Sequence, residues 1–260
     1  MRIAPLLATT ILALWATQAL AEGQWHAADA YYNASEMAAA KRELQAGSGA
    51  QKSVAFLADR FEYQTNQGSP VLLWDTDAWY GGDINKLWLK SEGTLDLDKN
   101  RFEEAEVQAL YSRAITSFFD LQAGVRHDLK PDPSKTYGVL GIQGLAPYWF
   151  EIDAAAFVSE DGDVTARIEA EYELLLTQRL ILQPRSELEL ALQDVPALGI
   201  GSGLSALQLG ARLRYEFDRK FAPYIGVSWT RQFGGTADFT RAESGSPDSL
   251  SFVTGVKLWF

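Results

Sequence analysis

The chain has 260 residues, with 34 acidic against 23 basic side chains, a formal net charge of −11 and no cysteine. That acidity argues against a nucleic-acid partner, and the absence of thiols rules out disulfides and thiolate metal sites within the chain. Mean hydropathy is −0.13, and past the first 21 residues no run approaches the ~18 apolar residues of a helical span. A barrel whose strands alternate between lipid and lumen averages to the same neutral value.

The N-terminus predicts export. Met1-Arg2 precedes an apolar stretch from Ile3 to Thr17, and Ala19-Leu20-Ala21 supplies a small-residue cleavage site. Together these form a secretory leader over residues 1–21, cut before Glu22. Residues 22–53 read as a helix and linker. Ala28 to Gln45 is Ala-rich, has Met37, Ala40 and Leu44 at helical spacing, and runs into Gly47-Ser48-Gly49. In an exported chain this is a short periplasmic helix.

From residue 54 to 260 the period is two. Twelve strands are predicted, at 54–64, 71–79, 84–95, 102–113, 117–127, 136–144, 149–158, 165–176, 179–192, 206–217, 222–232 and 250–260. In 207–217, Leu207, Leu209, Ala211, Leu213, Tyr215 and Phe217 share one face, opposite Gln208, Arg212, Arg214 and Glu216. The last strand carries Leu250, Phe252, Val256, Leu258 and the terminal Phe260 on one face. Links between the late strands alternate, with Gly234–Ser249 long, Asp218–Phe221 short, Gln193–Ser205 long and Thr177–Gln178 very short. The fold class expected is all-β, a transmembrane antiparallel up-and-down barrel of about twelve strands. Its apolar face meets outer-membrane lipid, and both termini lie on the periplasmic side.

The other face becomes the lumen, and it is densely charged. Asp75, Asp77, Lys90, Glu92, Glu106, Arg126, Arg167, Glu169, Glu171, Glu173, Arg185, Arg212 and Arg214 all fall on it. Opposite signs on neighbouring strands predict ion pairs across the barrel, and leftover carboxylates could line a path for cations. Asp75, Asp77, Glu169, Glu171 and Glu173 are candidate oxygen donors. His127 and Asp128, adjacent in sequence, are a candidate nitrogen and oxygen pair, and Met37 is the one thioether past the leader. A dedicated copper trap needs several soft or imidazole donors, and the only histidines are His26 and His127.

Catalysis finds no support. The barrel has one histidine to act as base, Gly201-Ser202-Gly203 lacks the spacing of a nucleophile elbow, and no helix is expected after Gly81-Gly82 or Gly234-Gly235 to make a phosphate cradle.

Several stretches resemble the copper-resistance protein B family. They include Leu57-Ala58-Asp59-Arg60-Phe61-Glu62-Tyr63, the run Trp79 to Lys90, Glu106 to Ala114, Asp120 to Asp128, Gly144 to Glu151, Tyr172 to Pro184, Gly199 to Leu204, Ala222-Pro223-Tyr224 and the Trp259-Phe260 end. The resemblance implies an outer-membrane barrel in copper homeostasis, with copper ion as its cargo or ligand and a periplasmic multicopper oxidase as its partner. Many family members carry a Met- and His-rich N-terminal extension; here the expected leader runs almost directly into Glu22–Tyr32. Two other readings fit the residues alone: a non-selective cation porin, and a plugged barrel that docks a periplasmic protein.

Overall fold

The computed structural model describes residues 28, 31–44, 46–47, 51–65 and 69–260. The expected leader, its cleavage site and His26 lie outside the described residues. Two compact units separate between Gln51 and Lys52.

Among the described residues of the first unit, helix α1 (Ala34–Leu44) starts later than the Ala-rich run predicts. Its start is fixed by a capping box. The Asn33 side-chain oxygen accepts from the amides of Ser35 and Glu36, and the Glu36 carboxylate accepts from the Asn33 amide at 3.1 Å. Such a cap contributes about 1 kcal/mol, enough to set the first turn in a helix that buries none of its residues.

The second unit is a closed antiparallel barrel. Its strands are β1 (Ser53–Thr65), β2 (Val71–Gly81), β3 (Asn85–Asp96), β4 (Arg101–Ala114), β5 (Phe119–Lys130), β6 (Lys135–Ala146), β7 (Phe150–Ser159), β8 (Val164–Tyr172), β9 (Leu174–Leu175), β10 (Leu180–Ala191), β11 (Gly203–Tyr215), β12 (Phe221–Gln232) and β13 (Asp248–Trp259). β8 and β9 are one strand interrupted at Glu173, since both pair with β10. The ring therefore has twelve strands. It closes where β1 pairs with β13, from Leu57 opposite Trp259 to Thr65 opposite Phe252. Closure leaves no open sheet edge, the condition for backbone to stand in lipid.

Burial is inverted relative to a water-soluble sandwich. Arg60, Glu62, Gln108, Arg185, Arg212 and Arg214 are buried, whereas Leu89, Val125, Leu140, Ile225 and Phe252 are exposed. Alternation alone left a sandwich possible, and this inversion removes it. Exposed aromatics gather at the end that holds the chain terminus: Tyr80, Tyr111, Phe118, Trp149, Phe217 and Phe221. Such rings suit the level where lipid headgroups meet water.

Two elements depart from the sequence expectation. A bulge at Ala58–Arg60 lets β1 turn both Asp59 and Arg60 toward the lumen, because an extra residue shifts the side-chain alternation by one. The long link after β12 folds as a helix, α2 (Gly234–Ala242), so a helix does follow Gly234-Gly235. α2 packs on the 192–202 loop, where Gly201 is pressed against Gly235. A Cβ on Gly201 would lie 2.5 Å from the Gly235 Cα, and the Gly201 amide donates to Thr236 Oγ1 at 2.9 Å. These loops lie at the end opposite the terminus, here called the loop end.

Candidate functional site

The lumen is a lattice of ion pairs hung on the inward positions of the strands. On one side Arg60 of β1 binds Asp75 of β2 at 3.0 Å and Glu92 of β3 at 2.9 Å. Arg126 of β5 binds Glu106 of β4 at 2.7 Å and its own-strand Asp128 at 2.6 Å. On the far side Arg185 of β10 pairs with Glu169 and Glu187. Toward the terminal end Arg214 meets Glu173 at 2.6 Å and Lys257 meets Asp59 at 2.5 Å. Pairing of this kind keeps buried charges compensated.

Other ties reach across the lumen between strands that are not neighbours. Lys90 of β3 reaches Asp153 of β7 at 2.5 Å. Arg167 of β8 reaches Glu92 of β3 at 2.8 Å and Glu106 of β4 at 3.1 Å.

The wall is not polar all round. Leu110, Tyr137, Val139 and Phe157, with Trp88 beside them, make an apolar cluster on the inward face of β3 to β7. Arg126 lies over the Phe157 ring, 4.7 Å from its centroid. The sequence list of lumen charges missed this sector because those positions alternate correctly but carry apolar residues.

Two cavities open inside the barrel. One of about 330 Å³ lies toward the terminal end, and one of about 250 Å³ lies beneath the loops. The first is lined by nine carboxylates, among them Asp59, Asp75, Asp77, Glu151 and Glu171, against the two cations Lys90 and Arg167. The second is roofed by Val195, Ile200 and Thr236. Glu92, Glu106, Phe157 and Arg167 line both, so the Arg167 tie is the partition between them.

The structure brings together Asp75, Asp77, Glu169 and Glu171 on the terminal-end cavity. Glu173 stands aside, held by Arg214. Asp77 has a buried Oδ1 without a hydrogen-bond partner. His127 and Asp128 do not form the shared site that their adjacency suggested. Alternation along β5 turns Asp128 inward to Arg126 and leaves His127 exposed on the outer face, with Nδ1 3.0 Å from Thr136 Oγ1. Met37 belongs to α1 in the first unit. Asp59, Arg60, Glu62 and Lys257 are lumen residues that the sequence list omitted. For the first two the omission follows from the bulge, which no periodicity argument anticipates.

Among the described residues no group of three or more His, Cys, Asp or Glu is arranged to hold a metal. What the lumen offers is carboxylate oxygen, which suits hydrated hard cations better than a thioether or imidazole cage would.

At the loop end, Asp163 accepts from Lys135 at 2.7 Å and from Gln193 at 3.2 Å. The Lys135 hydrogen bond holds its carboxyl below the usual range. Asp194 accepts from the Ser202 amide at 2.7 Å, and that backbone hydrogen bond lowers it in the same way.

The barrel is similar to the NanC porin, with a TM-score of 0.52 at 11% identity over 79% of this chain and 99% of that one; that likeness bears on fold alone. Sequence relatives are nearer. The copper resistance protein B homolog of Pseudomonas syringae pv. tomato (strain ATCC BAA-871 / DC3000) is 44% identical over 205 residues, 79% of this chain and 69% of that protein. The copper resistance protein B of Escherichia coli is 42% identical over 204 residues, 78% of this chain and 68% of that protein. Residues 52–260 match the family described as copper resistance protein B precursor. The residues that build the barrel and its charged lumen are thus those of an outer-membrane-type β-barrel belonging to the copper resistance protein B family.

Proposed function

We propose that this protein serves copper resistance in the outer membrane as a barrel whose acidic lumen takes up and passes copper ions. The observation that carries the reading is the acidic lining of the terminal-end cavity, where Asp77, Glu151 and Glu171 join no ion pair among the described residues, in a chain of this family. Carboxylates left without a cation in a low-dielectric lumen focus the field and raise the local concentration of counter-ions. Copper then crosses as a loosely held ion, relayed between carboxylates, and no dedicated cage retains it. Short turns at the terminal end, with the two long links 192–202 and 233–247 at the opposite end, support a periplasmic position for the terminus. Residues 1–21 direct export, and α1 with its linker stands in the periplasm, available to a multicopper oxidase that supplies or receives the metal.

The test is copper flux into liposomes carrying the refolded mature barrel and an entrapped copper indicator, with zinc and calcium as comparison ions. Copper entry above that of protein-free liposomes supports the reading. Entry of all three ions at equal rates would make the barrel a general cation porin. No entry of any ion would leave it a docking scaffold.

A further inference from the structure

The partition between the two cavities has more than one place to rest. Arg167 now spans the lumen to Glu92 and Glu106, yet neither acid depends on it. Glu92 keeps Arg60 at 2.9 Å and Glu106 keeps Arg126 at 2.7 Å, so both stay compensated if Arg167 leaves. On its own wall Arg167 has a second set of partners. Its Nε lies 3.6 Å from Glu187 Oε1. Its direct cross-strand partner is Glu189, in the register Glu189 opposite Arg167. Glu189 lines the loop-end cavity and takes part in none of the ion pairs described above.

We propose that Arg167 is the gate of the lumen. In the closed state its guanidinium bridges the lumen to Glu92 and Glu106. In the open state it lies along β8 and β10 against Glu187 and Glu189. Three features fit a gate better than a fixed strut: Arg167 is the one cation that lines both cavities, its far partners are redundantly paired, and a carboxylate waits on its own wall. An arginine keeps its charge at every accessible pH, so in the closed position it also repels cations where the two cavities meet. A cation entering the terminal-end cavity competes for Glu92 and Glu106 and thereby favours the open position. No bond is made or broken in the exchange, only ion pairs.

This inference rests on the reading of the lumen as a cation path, and its experiment separates the two. Single-channel conductance in KCl is measured in planar bilayers for the wild type, Arg167→Gln and Glu189→Gln. Arg167→Gln is expected to raise conductance several-fold and to shift the reversal potential toward cation selectivity. Glu189→Gln breaks no ion pair of the closed state, so its folding is not at risk; it is expected to lower the open fraction by removing the open-state partner. Arg167→Gln channels that conduct as the wild type does would overturn the gate. If Arg167→Gln does not assemble, Glu189→Gln decides, and an open fraction equal to wild type overturns the two-position mechanism. Silence from every variant would sink the cation path itself, and the gate with it.

Discussion

Arg212 Nη2 meets Glu62 Oε1 at 2.7 Å although β12 and β13 separate their strands. The pair is a chord across one quadrant of the lumen, with Glu62 fully sealed and Arg212 3% exposed. A second bond from Arg212 Nε to Glu62 Oε2, at 3.1 Å, makes it bidentate. Gly226, the cross-strand partner of Arg212, permits a close approach of the two strands; a Cβ there would lie 2.3 Å from the Ala211 carbonyl oxygen and 3.1 Å from Arg212 Cγ.

Removing one partner strands a buried charge. Glu62→Gln is expected to destabilise the barrel by about 3–5 kcal/mol, the usual cost of breaking a buried pair. The double variant Glu62→Gln/Arg212→Met should recover most of that loss. Denaturant unfolding in detergent, followed by heat-modifiable migration, measures both. Equal stability of the single variant and wild type would show that the pair contributes nothing.

Asp77 tests the opposite case. It lines the acidic cavity and has an unsatisfied buried oxygen, so no ion pair is lost on neutralisation. Asp77→Asn is expected to leave stability equal to or above wild type, since an unpaired buried carboxylate costs free energy. Cation selectivity of the lumen should fall in the same variant. A reversal-potential measurement beside a melting curve reads the two effects, and unchanged selectivity would remove Asp77 from the path.

His127 faces outward while the acids face inward. His127→Ala should therefore leave copper flux and copper binding by the lumen at wild-type levels. Asp128→Asn, which loosens Arg126 beside the partition, should change flux. A loss of copper binding in His127→Ala measured by equilibrium dialysis would show that the outer face holds metal after all.

The loops carry a pH dependence of definite sign. Asp194 is lowered by the Ser202 amide bond, so its ionised form is favoured in the folded loop. Its contribution is present above the ordinary carboxylate value of roughly 4. It is lost as pH falls through the lowered folded value. Hydrogen exchange at the Ser202 amide should accelerate in acid beyond the intrinsic rate, and Asp194→Ala should exchange fast at every pH. Slow exchange in that variant would show that the loop is held by Gly201 and Thr236 alone.

Most of the barrel was legible in the chain. Twelve alternating segments fall within a few residues of the strands, and the split of 207–217 into an apolar face and an Arg212/Arg214 face matches β11, because side-chain period two is a property of extended backbone. The start of α1 was written in Asn33 and Glu36 as a capping box that the Ala-rich run obscured. α2 was missed because its nine residues are stabilised by contact with the 192–202 loop, a long-range term absent from local pattern.

The site was legible only as an inventory. The sequence by itself determined most of the charged residues that face the lumen and that carboxylates exceed cations there, since alternation and composition are local. Only the tertiary structure decided which charges meet. Ring closure brings β8 within reach of β3 and β4, so Arg167 finds Glu92 and Glu106 at separations of 75 and 61 residues. It also decided that the bulge in β1 brings Asp59 to the lumen beside Arg60. Pairing of charges depends on distances through the lumen, and those are set by the register and closure of the whole ring.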